Sequence, residues 1–321
     1  MTVIGIDVSK DKLDVVCMDE QRQTQYAQVD NTAKGYAQLK RWLHKRQVQA
    51  VCLEATGRYS EGVAEYLHEA GYQVSVVNPA RIRGYATSQL RRNKTDKLDA
   101  TLIADFCRTQ QPEAWTPPPP EMRQLQALVR HLTTLETAKQ QADNRLREPA
   151  ALPPLVVQQL KTQRDLLADQ IKQLKQAIQN HIDHFPDLKK QRDLMDSIPG
   201  IGKLTAAKLL AECRSVSRFD DVRQLVAFAG LNPAHHQSGS SIRKKTTISK
   251  TGKPAIRAAL YMPAVSAKRY NPVLKAFAQH LLDQGLCKME VITAVMRKLL
   301  HLIYGILKSG RPFDPHFHAP A

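Results

Sequence analysis

No stretch of this 321-residue sequence approaches the roughly 18 consecutive apolar residues that a membrane-crossing helix needs. A membrane span is therefore not expected. The opening residues, MTVIGIDVSKDKLDVV, lack a basic n-region and a small-residue cleavage site, so no secretory signal is expected either. The five cysteines, at positions 17, 52, 107, 213 and 287, show no CxxC spacing. Their odd number and wide scatter argue against a disulfide framework or a zinc site and for a reducing cytoplasm. There is no internal repeat. Acidic residues are missing from two long windows. Between Glu69 and Asp96 the only charges are Arg81, Arg83, Arg91, Arg92 and Lys94. Between Asp221 and Asp283 there are ten lysines and arginines and no carboxylate, with Arg243, Lys244, Lys245, Lys250, Lys253 and Arg257 grouped in its middle. Solvated surface normally mixes both signs, so each window reads as a place where phosphates approach.

What is present fits that reading. Lys and Arg number 47 against 30 Asp and Glu, a net charge of +17, which points to a polyanionic partner. The length predicts two or three domains. Residues 2–30 alternate as three short strands, and Asn31 is expected to cap the helix that follows. QAVCLEA (49–55) is a short apolar strand ending near Glu54. RYSEGVAEYLHEAG is a helix ended by Gly71, and YQVSVVNP is a strand halted by Pro79. A basic segment follows. The helix KTDKLDATLIADFCRTQ then carries Leu98, Leu102, Ile103 and Phe106 as its apolar stripe. The predicted order is β-β-β-α-β-α-β-α over residues 1–114. Four prolines in WTPPPPE mark a boundary. Residues 115–185 read as two helices. Val157, Ile171 and Ile178 fall at one heptad position of the second, and Leu160, Leu167 and Leu174 at the other, with Arg164 interrupting. With Leu125, Leu128, Leu132 and Leu135 this predicts an antiparallel helical hairpin or an oligomerising coiled coil. Residues 186–321 read as mainly helical, with apolar helices at 254–268 and 287–309.

Four carboxylates stand out. Asp7 lies mid-strand between Ile6 and Val8, where a charge is costly without a partner. Glu54 ends the fourth strand, and Asp96 and Asp99 lie three apart at the start of the last helix of that domain. If the first and fourth strands are neighbours and the helix crosses them, all four converge. Clustered hard oxygens suit Mg²⁺ or Mn²⁺, which can stabilise the attacking and leaving oxygens of a phosphodiester. Taken singly, Asp96 could instead complement the helix dipole, and Asp99 could pair with a base one turn away. Asp11 and Asp14, beside the first turn, are expected to be solvated. The arrangement resembles the ribonuclease-H-like nucleases, especially the Holliday-junction resolvases, which also place two aspartates three apart on the final helix.

Further along, HHQSGSSIRKK sets Ser238, Ser240 and Ser241 beside Arg243, Lys244 and Lys245, with His235 and His236 just before. From the residues alone this is better read as a loop that grips phosphate than as a nucleophile. SIPGIGKLTAAKLLAE is similar to a helix-hairpin-helix, whose glycine turn (Gly200, Gly202, then Lys203) offers backbone N–H groups to phosphates. A plain helical corner that needs glycine is the alternative. Taken together, IGIDVSKDKLDV, CLEATG, NKTDKLDA, SIPGIG, FAGLNP…SGSS and RKKTTISKTGKPAIRAALYMPA resemble the DEDD transposases of the insertion-sequence one-ten family, which includes the Piv-type DNA invertases. The resemblance spans essentially the whole chain.

That resemblance implies an N-terminal RuvC-like α/β domain with Asp7, Glu54, Asp96 and Asp99 as its metal-binding tetrad. It also implies a helical transposase domain with a nucleophilic serine, the one before glycine, which falls on Ser238, with Ser240 and Ser241 left open as the alternatives. Implied partners are donor and target DNA, a non-coding bridge RNA and further copies of the chain, as a dimer or as a tetramer on DNA. Two other readings remain: a resolvase-like nuclease using metal-activated water, with the serine loop only binding phosphate, and a nucleic-acid-binding protein without catalysis.

Overall fold

The computed structural model describes residues 2–90, 95–234, 237–238, 242–243 and 247–316. The chain divides into two units, Met1–Pro117 and Pro118–Ala321. Among the described residues no helix is long and apolar enough to cross a membrane.

The first unit is built on one mixed sheet. β1 (Val3–Val8), β2 (Lys12–Met18) and β3 (Thr24–Asp30) form an antiparallel meander. After α1 (Ala33–His44), β4 (Ala50–Glu54) lies parallel to β1. After α2 (Arg58–Glu69), β5 (Val74–Val77) lies parallel to β4. The strand order is β3-β2-β1-β4-β5, the ribonuclease-H-like arrangement. The first and fourth strands are indeed neighbours. Alternation along each strand sorts the core into two faces. Ile4, Ile6, Leu13, Val15, Val51 and Leu53 pack on the side that buries Leu39, Leu43, Val63 and Leu67 of α1 and α2. Val3, Val16, Met18, Ala50 and Cys52 face the other way, against α3 (Pro79–Ser88) and α4 (Asp96–Gln110).

Three local expectations are corrected. The cap of α1 is Thr32, whose hydroxyl accepts from Gly35 N–H. Asn31 instead donates to the carbonyls of Ser9 and Tyr59 and accepts from Tyr36 Oη, tying the β1–β2 turn to α2. The basic segment after Pro79 contains a helix, α3, capped by Asn78 and opened by proline at its first position. Leu98 does not join the apolar stripe of α4; it is 38% exposed.

In the second unit α5 (Pro120–Arg145) and α6 (Pro154–His184) form a helical hairpin. Pro120, last of the four prolines, takes the first helical position, where its missing N–H costs nothing. Leu125, Val129 and Leu132 share one core with Leu167, Ile171 and Ile178 and with the helices that follow. Those are α7 (Pro186–Asp196), α8 (Lys203–Cys213), α9 (Val222–Ala229), α10 (Pro254–Tyr270), α11 (Pro272–Asp283) and α12 (Lys288–Ser309). α11 was not expected from the sequence; Asn271 caps it and Pro272 opens it. Between α9 and α10 lie four two-residue strands: β6 (Pro233–Ala234) pairs with β9 (Thr247–Ile248), and β7 (Gln237–Ser238) with β8 (Ile242–Arg243).

Candidate active site

The α4 face of the sheet gathers the carboxylates. Asp7 is two residues beyond Gly5 on β1, and Glu54 two beyond Cys52 on β4, so both share the face that packs on α4. α4 approaches β1 closely because Gly5 has no side chain. A Cβ there would lie 2.2 Å from both the Ala100 carbonyl oxygen and the Ala104 nitrogen. Thr95 caps α4 by accepting from Leu98 N–H, and the first helical turn then presents Asp96 and Asp99. One glycine and one threonine thus set where this pair of aspartates lies relative to the sheet.

The shared field is strong. The Asp7 carboxyl is pushed up from an ordinary 3.8 to about 6, first by burial, then by the negative charges of Asp99, Glu54, Asp96 and Asp14. Asp14, expected to be solvated, is instead buried, and stands directly opposite Asp7 in the β1–β2 register. Burial demands donors, and Asp14 Oδ1 accepts from Tyr26 Oη at 2.5 Å and Gln28 Nε2 at 2.8 Å. Lys12 Nζ reaches Asp96 Oδ2 at 2.6 Å and Asp14 Oδ2 at 3.5 Å. The sequence reading gives neither Lys12 nor Asp14 a part in the site. The signal was available: both fall on Asp7's side of the sheet once β1 and β2 pair as a hairpin.

The donor set is one of hard oxygens, which suits a divalent ion such as Mg²⁺ or Mn²⁺. Thr56 Oγ1, two residues after Glu54, is buried without a hydrogen-bond partner among the described residues. As the side chains stand, no three Asp, Glu, His or Cys among the described residues close on a single point. The electrostatic coupling to Asp7 and this lack of a closed cage are compatible. Coulombic influence reaches farther than a coordination bond, and Asp96 is turned to Lys12.

The expected nucleic-acid contacts fall into several groups. Arg81 and Arg83 are exposed on α3, with Arg81 over the Phe106 ring. Gly200 adopts φ +106°, and a Cβ there would meet Ala267 of α10 at 2.7 Å, so this turn glycine is needed for helix packing. Gly202 and Lys203 beside it are exposed. Lys250 is exposed. Lys253 and Arg257 are engaged within the protein. Lys253 Nζ lies 3.2 Å from Glu212 Oε2, and burial lowers its pKa. Arg257 donates to the Ala229 carbonyl at 2.8 Å. The FAGLNP and SKTGKP segments close on each other here: Lys253 N–H donates to the Phe228 carbonyl, and Gly252 has space for no side chain against Gly230 N. Ser238 lies in β7, paired with Ile242, and Arg243 is in β8. Arg91, Arg92, Lys94, His235, His236, Ser240, Ser241, Lys244 and Lys245 lie outside the described residues.

Residues 4–152 match a family model described as a transposase, the DEDD transposase of IS110. Residues 192–279 match the model described as "Transposase IS116/IS110/IS902 family". Over 323 aligned residues the chain is 35% identical to the pilin gene-inverting protein of Moraxella bovis, covering 99% of each. It is 25% identical to the transposase for insertion sequence element IS1328 of Yersinia enterocolitica, over 80% of this chain and 81% of that protein. Among solved structures, T. thermophilus RuvC in complex with Holliday junction substrate matches with a TM-score of 0.29 and 16% identity, over 36% of this chain and 99% of that one. With a relative this similar along nearly the full length and transposase models matching residues 4–152 and 192–279, the chain belongs to the IS110 family of DEDD transposases.

Proposed function

We propose that this transposase cleaves and exchanges DNA strands with two sets of residues, a metal-binding tetrad and a serine nucleophile, under the guidance of a bridge RNA. Asp7, Glu54, Asp96 and Asp99 would hold Mg²⁺ or Mn²⁺. The observation that carries the reading is the convergence of charge on Asp7, whose carboxyl is raised to about 6 by burial and three other members of the tetrad, with Asp14 beyond them. Carboxylates repelling one another on one sheet face are a site prepared for a cation. A divalent ion bound there would supply Lewis-acid stabilisation of charge on the phosphate oxygens.

Ser238 is the proposed nucleophile. Its Oγ attacks the scissile phosphorus and forms a phosphoserine bond. The bond from phosphorus to the 3′ oxygen breaks, and that oxygen takes up a proton to match the one the serine loses. The free 3′-hydroxyl then attacks the phosphoserine of the exchanged strand, which restores the serine. The basic residues Arg81, Arg83, Arg91, Arg92 and Lys94 in one window, and Arg243, Lys244, Lys245 and Lys250 in the other, hold DNA and RNA phosphates. Gly202 and Lys203 add a further phosphate contact. Two duplexes must be held together for exchange, so the working form is an oligomer, in which one copy's tetrad can serve another's serine.

The test is a covalent protein–DNA adduct formed on a DNA substrate with the matching guide RNA. Wild type should give the adduct, and Ser238→Ala should lose it. Cleavage retained by Ser238→Ala but lost in Asp7→Ala would instead mean attack by metal-activated water, with the loop only gripping phosphate.

A further inference from the structure

β2 opens with a lysine, Lys12, for which the tetrad alone gives no role. Ser9 closes the turn between β1 and β2. Its hydroxyl donates to the Lys12 carbonyl at 2.8 Å, its N–H reaches the same oxygen at 3.0 Å, and Lys12 N–H lies 3.2 Å from Ser9 Oγ. Lys12 therefore enters β2 in a fixed register, on the same face as Asp14 two residues later. Its Nζ spans two carboxylates from distant parts of the chain, Asp96 on α4 and Asp14 on its own strand. Asp14 is 1% exposed and is itself held by Tyr26 and Gln28 of β3. The anchor is built into the sheet, and the ammonium it steadies reaches out to the tetrad.

We propose that Lys12 is a positioning residue for the tetrad, a tethered counter-ion anchored on Asp14 that holds Asp96 and sets how tightly a divalent cation binds. The inference rests on the reading that Asp7, Glu54, Asp96 and Asp99 hold such an ion. Two physical effects act in the same direction. An ammonium hydrogen-bonded to Asp96 competes for an oxygen that the ion needs. The unit charge of Lys12 would also repel a divalent ion held by the tetrad, and at a separation of about 5 Å that repulsion would be worth roughly tenfold in affinity even with water-like screening. In the metal-free protein the same charge relieves the repulsion among the carboxylates. Lys12 thus trades metal affinity for a stable, ready arrangement of Asp96. An exposed ion pair with no part in the site would contribute little and would leave metal affinity alone.

Mn²⁺ binding to the full chain, read from the free-ion electron paramagnetic resonance signal, separates these possibilities. Lys12→Met should bind Mn²⁺ about tenfold more tightly than wild type. Lys12→Gln, which keeps a polar side chain without the charge, should show the same gain. Lys12→Arg keeps the charge and should stay near wild type. Asp7→Asn should lose tight binding. If Asp7→Asn loses binding while Lys12→Met and Lys12→Gln match wild type or bind more weakly, the tetrad stands and the role of Lys12 is overturned. If wild type shows no tight binding, or Asp7→Asn binds as wild type does, the tetrad reading falls and Lys12 falls with it.

Discussion

Replacing Asp7 by asparagine should stabilise the metal-free protein at neutral pH, although it removes the residue at the centre of the site. Asp7 lies between buried Ile6 and Val8, and its carboxyl is raised from 3.8 to about 6 by burial and by Asp99, Glu54, Asp96 and Asp14. The unfolded chain ionises at the ordinary value. Between those two pH values the folded protein holds a proton that the unfolded chain has released. The group's contribution to stability is therefore fully present below about pH 3.8 and is lost as pH rises through about 6. The whole displacement corresponds to about 3 kcal/mol. Asp7 is only partly withdrawn from water and solvent screens its neighbours, so roughly 1–2 kcal/mol is expected. Asparagine keeps the shape and removes the charge. Both tryptophans, Trp42 and Trp115, lie in the first unit, so their fluorescence reports that unit's unfolding. In EDTA at pH 7.5, Asp7→Asn should raise its Tm by several degrees, and at pH 4 by almost nothing. Added Mg²⁺ should raise the wild-type Tm and leave the variant unchanged. An equal loss of stability at both pH values would refute this account of Asp7.

Two glycine substitutions test the packing on which the geometry depends. Gly5→Ala places a Cβ 2.2 Å from two backbone atoms of α4, so the helix must move. It should cost about 3 kcal/mol or more in the tryptophan-monitored melt and should weaken Mn²⁺ binding, because α4 carries Asp96 and Asp99. Gly252→Ala brings a Cβ within 2.5 Å of Gly230 N and the Phe228 carbonyl oxygen. It should lower the helical circular-dichroism melt of the second unit by about 2 kcal/mol or more and leave the tryptophan transition in place.

Much of the first unit follows from two periodicities. Alternation alone puts Gly5 and Asp7 on one face and Ile4 and Ile6 on the other. Helical spacing then puts Asp96 and Asp99 on a single turn. What remained hidden has a common cause: residues with two meanings in sequence. Asn78-Pro79 reads as the end of a strand, and it is also a cap followed by a proline at the first helical position. Asn271-Pro272 repeats the pattern and opens α11, the other helix not foreseen. The Lys253 and Arg257 charges look like phosphate ligands in an acid-free window. In three dimensions Lys253 pairs with Glu212, just before that window, and Arg257 donates to a carbonyl. Acid-free windows in sequence therefore overstate the free positive charge in space.

Asp14 shows the same ambiguity with the opposite sign. Two residues from a turn, a lone aspartate is ordinarily solvated. Here the partners that permit its burial, Tyr26 and Gln28, lie on β3, whose sequence TQYAQVD reads as a polar edge strand with nothing to hide. On the α4 side this edge strand supplies both donors to Asp14. Asp14 is buried, and in the role proposed for Lys12 it steadies that ammonium against Asp96. The proposed tetrad can be read one residue at a time, from a charge in a strand or a pair on a helix. Its support can be found only from the pairing of three strands, because each supporting residue taken singly has a plainer explanation.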